Sequence, residues 1–164
     1  MRFLLTLSLC AFALSSPLYA KIIGQGELHV LFWHAYNAQL SSPTGTYSPA
    51  KPHTLTLTYQ MEFTKEELVE RTMKELTRHV KPSAQQKTAW EKQLLTLWPS
   101  VKKGDFIRAD AVPHKQVTFY FNGTKKGSIR DATFAKHFTQ IWLGENTSDP
   151  GLREQLLGQH NATK

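Results

Sequence analysis

The stretch TLTLTYQMEFTKEELVERTMKEL (Thr54–Leu76) changes period at its middle, and that change decides the fold. Up to Phe63, Leu55, Leu57, Tyr59, Met61 and Phe63 alternate with Thr54, Thr56, Thr58, Gln60 and Glu62. A period of two places the first set on one dry face of a β-strand. Beyond it the spacing is helical: Leu68, Thr72, Leu76 and Val80, joined by Val69 and Met73, form an i, i+4 stripe that Pro82 ends. Thr64, with Glu67 three residues on, forms a capping box in which each side chain satisfies an orphan backbone donor at the helix start. A one-faced strand running straight into a one-faced helix predicts a sheet covered by helices.

Upstream, Leu28, Val30, Phe32, His34 and Tyr36 alternate with Glu27, His29, Leu31, Trp33 and Ala35, which predicts a single strand after a Gly24-Gln25-Gly26 turn. Ser41 to Pro52, with three prolines and a glycine, reads as a loop. Downstream, a second helix opens at Ser83, carries Trp90, Leu94, Leu97 and Trp98 inward, and stops at Pro99. Strands follow over Phe106–Val112, Val117–Phe121 and Ser128–Arg130, the last two meeting at Asn122-Gly123 and a basic tip, Lys125-Lys126. Asp131 caps a helix with Phe134, Phe138, Ile141 and Trp142 on one side and Gly144 at its end. A last helix follows Asp149-Pro150, with Leu152, Leu156 and Leu157 apolar and Gly158 as its stop. Strands and helices come in groups where a parallel fold would alternate them. The class is therefore α+β: an antiparallel sheet with helices packed on one face, an open-faced β-sandwich.

The chain has 164 residues, with 20 Lys and Arg against 13 Asp and Glu. Arg2, the apolar run Phe3–Leu14 and the small residues up to Ala20 follow the pattern of a secretory signal peptide. Residues 1–20 are therefore read as a leader cleaved after Ala20, and 21–164 as one domain, periplasmic or secreted. The apolar run falls short of the ~20 residues a membrane span needs, so no stable span is expected after cleavage. The one cysteine, Cys10, lies in that leader, which excludes disulfides, thiol chemistry and Cys-containing metal sites from the mature chain. Asn122, Asn146 and Asn161 stand in glycosylation sequons. The cations are scattered among acids with no continuous stripe, so no nucleic acid partner is expected.

The segments IWLGENTSDPGLREQLLG (Ile141–Gly158), FYFNGTKKGSI (Phe119–Ile129), WPSVKKGD (Trp98–Asp105) and FWHAYNAQL (Phe32–Leu40) resemble the bacterial chalcone isomerase-like proteins. The resemblance implies the chalcone isomerase fold, with a hydrophobic cleft between sheet and helices. Plant enzymes of that fold cyclise a chalcone with an arginine near the first strands, a threonine shortly after it, and a tyrosine just before the following helix. Here no arginine lies between Lys21 and Lys51, the threonine's place near Val30 or Leu31 is aliphatic, and the tyrosine would fall at or beside Phe63. Without a cation and a hydroxyl to hold a phenolate, isomerase activity is not expected. Other relatives of the fold hold a fatty acid by an arginine and a tyrosine, and the resemblance leaves that arginine unplaced.

On the apolar faces of the first two strands the polar-ended groups are His34, Tyr36 and Tyr59, each requiring a protein or ligand partner once buried. With walls from Leu55, Leu57, Met61 and Phe138 they would frame a cleft for a fatty acid or other small apolar ligand. Arg108 is the candidate for a carboxylate, with a sheet-edge ion pair as its ordinary alternative. The tryptophans Trp90, Trp98 and Trp142 read as core, and Arg153 as structural. No HxxxH or HExxH occurs, and His29 and His34 fall on opposite faces of one strand by parity, so no metal site is expected; no cofactor loop is present either. The leading reading is an exported, non-catalytic ligand-binding protein. The alternative is an envelope interaction module using Trp33, its protein partner unknown, and the third an intramolecular lyase or isomerase.

Overall fold

The computed structural model describes residues 20–159. The leader read over residues 1–20, Ala20 excepted, and Asn161 lie outside them. Six strands form one antiparallel meander in chain order, β1 (Lys21–Val30), β2 (Trp33–Ser42), β3 (His53–Tyr59), β4 (Phe106–Val112), β5 (Gln116–Phe121) and β6 (Thr124–Ile129). Two helices, α1 (Lys65–Leu76) and α2 (Ala84–Leu97), separate β3 from β4, and α3 (Ala132–His137), α4 (Gln140–Leu143) and α5 (Pro150–Leu156) follow β6. No helix among the described residues is long and apolar enough to cross a membrane.

The sheet is dry on one side, as the alternation at Thr54–Tyr59 requires. Ala38, Leu40, Leu55, Leu57, Ile107, Ala109, Val117 and Phe119 are buried under the helices. Asn37, Gln39, Thr56, Arg108 and Tyr120 face the other way. The roof is aromatic. Trp98 meets Phe119 and Phe138 edge-on at 5.4 and 6.3 Å, Phe134 stacks on Phe138 at 5.2 Å, and Trp90 and Trp142 close the two ends. Helix starts are capped where the sequence places them: Thr64 with Glu67 and Ser83 with Gln86 form reciprocal boxes, and Asp131 and Asp149 accept from Phe134 and Leu152.

Several expectations are corrected. The segment read as one strand over Leu28–Tyr36 is a hairpin, turning at Leu31-Phe32 so that Val30 faces Trp33. Leu31 adopts φ 57°, a conformation that gives a leucine no sequence signature. Gly24-Gln25-Gly26 lies inside β1, where α5 passes so close that a side chain on Gly24 would strike the backbone of Gln155 and Leu156. Strand β3 stops at Tyr59, and Phe63 retains only a bridge to Val101. Helix α1 ends at Leu76, where Arg78 and His79 donate to carbonyls three residues back and tighten the last turn. The helix read from Asp131 to Gly144 breaks at Phe138-Thr139. Lys125 and Lys126 belong to β6, not to a turn tip.

Candidate functional site

A cavity of about 110 Å³ opens between the dry face of the sheet and helices α1, α4 and α5. Its walls are apolar, with Leu28 and Val30 of β1, Leu55 and Leu57 of β3, and Phe138 and Ile141 of the roof. Met61, expected among them, does not line it.

Tyr36 and Tyr59 are cross-strand partners that meet edge-on at 5.9 Å within this wall, the pairing that the β2–β3 register fixes. The Tyr36 hydroxyl oxygen accepts from Trp142 Nε1 at 2.8 Å, which leaves its proton to be donated elsewhere. Burial pushes Tyr36 up to about 12, against the opposing effect of the Trp142 bond and of the Arg71 charge, so it is a neutral donor at ordinary pH. Burial pushes Tyr59 up as well, with Tyr36 adding to it. The buried Trp98 Nε1 in the same wall has no hydrogen-bond partner among the described residues.

The rim carries Glu67, Arg71, Glu75 and Asp149. Glu67 accepts from the Thr64 backbone at 2.8 Å and Asp149 caps α5, while Glu75 stands 3.8 Å from Arg78 with its Oε2 buried and without a hydrogen-bond partner among the described residues. Arg71 is exposed and forms no ion pair among the described residues. It lies three residues after Leu68 and four before Glu75, so one edge of α1 delivers all three to the cavity. From the sequence Arg108 was the candidate for a carboxylate, and Arg71 was not named; position i+3 from a stripe leucine was the available signal. Thr72, one residue on and buried, lines the same space.

The structure places the other two candidates elsewhere. Arg108 is on the open face of the sheet, 3.2 Å from Asp110 and with its guanidinium 3.9 Å over the Tyr120 ring. His34 also faces outward, a correction to the single-strand parity. Because the chain turns at Leu31-Phe32 and slips register between Leu28 and His29, His34 stacks on His29 at 4.9 Å and bonds Asn37 at 2.7 Å. A further histidine went unremarked in the sequence. His53 is buried, its Nδ1 donating to the Lys51 carbonyl at 2.8 Å and its Nε2 accepting from the Thr139 hydroxyl at 2.9 Å. Burial holds it below the usual imidazole range, so it is a neutral tie between β3 and the α3–α4 break.

The sequence model of a family described as chalcone isomerase-like matches residues 33–158. No curated protein matches the chain by sequence. Among solved structures, a fatty-acid binding protein of Arabidopsis thaliana superposes with a TM-score of 0.66 at 12% identity, over 84% of this chain and 86% of that one. At such identity the likeness is one of fold, and it agrees with the six-stranded sheet and one-sided helices described above.

Proposed function

The chain belongs to the chalcone isomerase-like family, and on that premise we propose that it is an exported, non-catalytic binding protein for small carboxylates with an apolar tail. The observation that carries the reading is Arg71, the one cation lining the cavity and without an ion pair among the described residues, at the mouth of an apolar space where Tyr36 holds a free O–H. A carboxylate at the rim would receive a charge-assisted bond from the guanidinium, while its tail displaced nothing but apolar contacts. The solved fold relative titled a fatty-acid binding protein supports a ligand of this kind.

Volume narrows the class. An engineered cavity of ~150 Å³ takes benzene, so about 110 Å³ has room for roughly four carbons before the roof must move. The same figure weighs against the isomerase reading. Arg71, Tyr36 and Thr72 do bring a cation and hydroxyls into one cavity, but a two-ring substrate would not fit it.

Calorimetric titration with straight-chain carboxylates tests the proposal. Affinity should rise up to about four to six carbons and then level. Arg71→Gln should weaken binding by ~10-fold or more, the scale of a charged hydrogen bond, and Tyr36→Phe by a few-fold. His34→Ala, on the far face, should leave it unchanged. Equal binding of the matching alcohols, or indifference to Arg71→Gln, would overturn the reading.

The second reading, an envelope interaction module, is favoured by the β1–β2 tip. Leu31 is 86%, Phe32 97% and Trp33 65% exposed, a contiguous apolar point beside the cavity wall. A photo-crosslinker at Phe32 would capture the partner such a tip requires.

A further inference from the structure

The open face of the sheet holds a second constellation, independent of the cavity. Glu27 and His29 are two apart on β1, and so project from the same face. The hairpin turn brings His34 of β2 directly opposite His29. The His29 Nε2 lies 3.0 Å from Glu27 Oε2, and the His34 Nε2 lies 4.0 Å from the same oxygen. One ligand atom from each of the three residues falls within 4.8 Å of the others.

We propose that Glu27, His29 and His34 form a binding site for a divalent transition-metal ion of the zinc or copper type. Two imidazoles and a carboxylate make a donor set that suits such ions, and Mg²⁺ or Ca²⁺ poorly. Metal–ligand bonds of ~2.0–2.1 Å in a tetrahedron put the donors about 3.3 Å apart, so separations that now reach up to 4.8 Å need to close by up to about 1.5 Å. Both Nε2 atoms face the same Glu27 oxygen, and the rings, stacked at 4.9 Å with 14° between their planes, would splay for their in-plane lone pairs to converge on one ion. Asn37 Oδ1, 2.7 Å from His34 Nε2, would give up that bond and orient a water at the fourth position. The site lies in a shallow groove with Gln25, Gln39 and Thr56, reachable from solvent. Coordination would clamp β1 to β2 beneath the Leu31-Phe32 tip.

The test uses tag-free protein and Zn²⁺, with affinity read by competition against a chromophoric chelator. One equivalent should bind. Glu27→Gln, His29→Ala and His34→Ala should each weaken binding at least ~10-fold, the double histidine variant should remove the site, and His114→Ala should change nothing. Cu²⁺ should bind tighter than Zn²⁺, and Mg²⁺ should not compete. In the unmodified protein, Zn²⁺ should protect His29 and His34, but not His114, from carbethoxylation mapped by peptide mass spectrometry; this readout requires no variant to fold. A wild-type isotherm that superposes on that of the double variant, or Zn²⁺ that leaves His29 and His34 as reactive as before, would overturn the proposal. Neither result bears on carboxylate binding at Arg71.

Discussion

The two hairpins at opposite edges of the sheet solve one geometric problem with different chemistry. Both turn in two residues, Val30 facing Trp33 at one edge and Phe121 facing Thr124 at the other. The β5–β6 turn uses Asn122 at φ 48° and Gly123 at φ 84°, residues that tolerate positive φ cheaply. The β1–β2 turn uses Leu31 at φ 57° followed by Phe32, neither with any turn preference. One hairpin is built for stability, and the other accepts strain to hold an apolar tip in solvent. Local rules broken without structural gain are where function is expected.

The largest difference should appear where the first hairpin meets α5. Gly24→Val would push a side chain into the backbone of Gln155 and Leu156, where no rotamer change gives relief. The helix must lift, exposing Leu152 and Leu156, both almost fully buried. We expect a loss of more than ~3 kcal/mol, read as a large fall in the urea midpoint or no folded protein. The first edge would then depend on the helix docked upon it. A variant within ~1 kcal/mol of wild type would place α5 elsewhere and break the comparison at its root.

At the other edge the corresponding change should be milder. Gly123→Ala meets nothing within 4 Å, so its cost is backbone strain alone at φ 84°. That cost is ~1–2 kcal/mol by urea denaturation. A larger loss would mean that the β5–β6 turn is also packed, and the contrast with Gly24 would shrink.

The same contrast explains what could be read from the sequence. The caps at Thr64, Ser83, Asp131 and Asp149 and the Asn122-Gly123 turn were legible, since each is local chemistry with a fixed spacing, and so was the change from strand to helix, although the strand ends at Tyr59 and not at Phe63. The Leu31 turn was not, because leucine at positive φ is held by its flanking strands and not by its own preference. That single omission also moved His34 to the wrong face and hid its stack on His29. The antiparallel sheet and its helical cover survived the error, since they rest on the alternation at Thr54–Tyr59. Arg71 was missed for a different reason: which helix edge lies over which strand is set by tertiary packing, and no single-element pattern carries it. Tyr59 was legible as a wall residue from the alternation of β3, whereas Tyr36 reaches the same wall because the register slip between Leu28 and His29 offsets the missed turn, and the Trp142 bond that orients it spans 106 positions.

The smallest effect has the opposite sign, and it separates strain from function most directly. Leu31→Gly removes a side chain that is almost wholly in solvent, so little packing is lost. It relieves left-handed strain of ~1–2 kcal/mol, against ~0.5–1 kcal/mol for the extra freedom glycine gives the unfolded chain. The balance is a gain of about 0.5–1 kcal/mol, seen as a rise in the urea midpoint with unchanged slope. Carboxylate affinity at Arg71 should not move, because Leu31 does not line the cavity. Capture by a photo-crosslinker at Phe32 should fall, because the apolar point has lost one of its three side chains. If Leu31→Gly proves destabilising instead, the tip is packed against something and the strain argument fails. If stability rises and capture is unaffected, Leu31 is strained without serving the tip, and Phe32 and Trp33 carry whatever docking occurs.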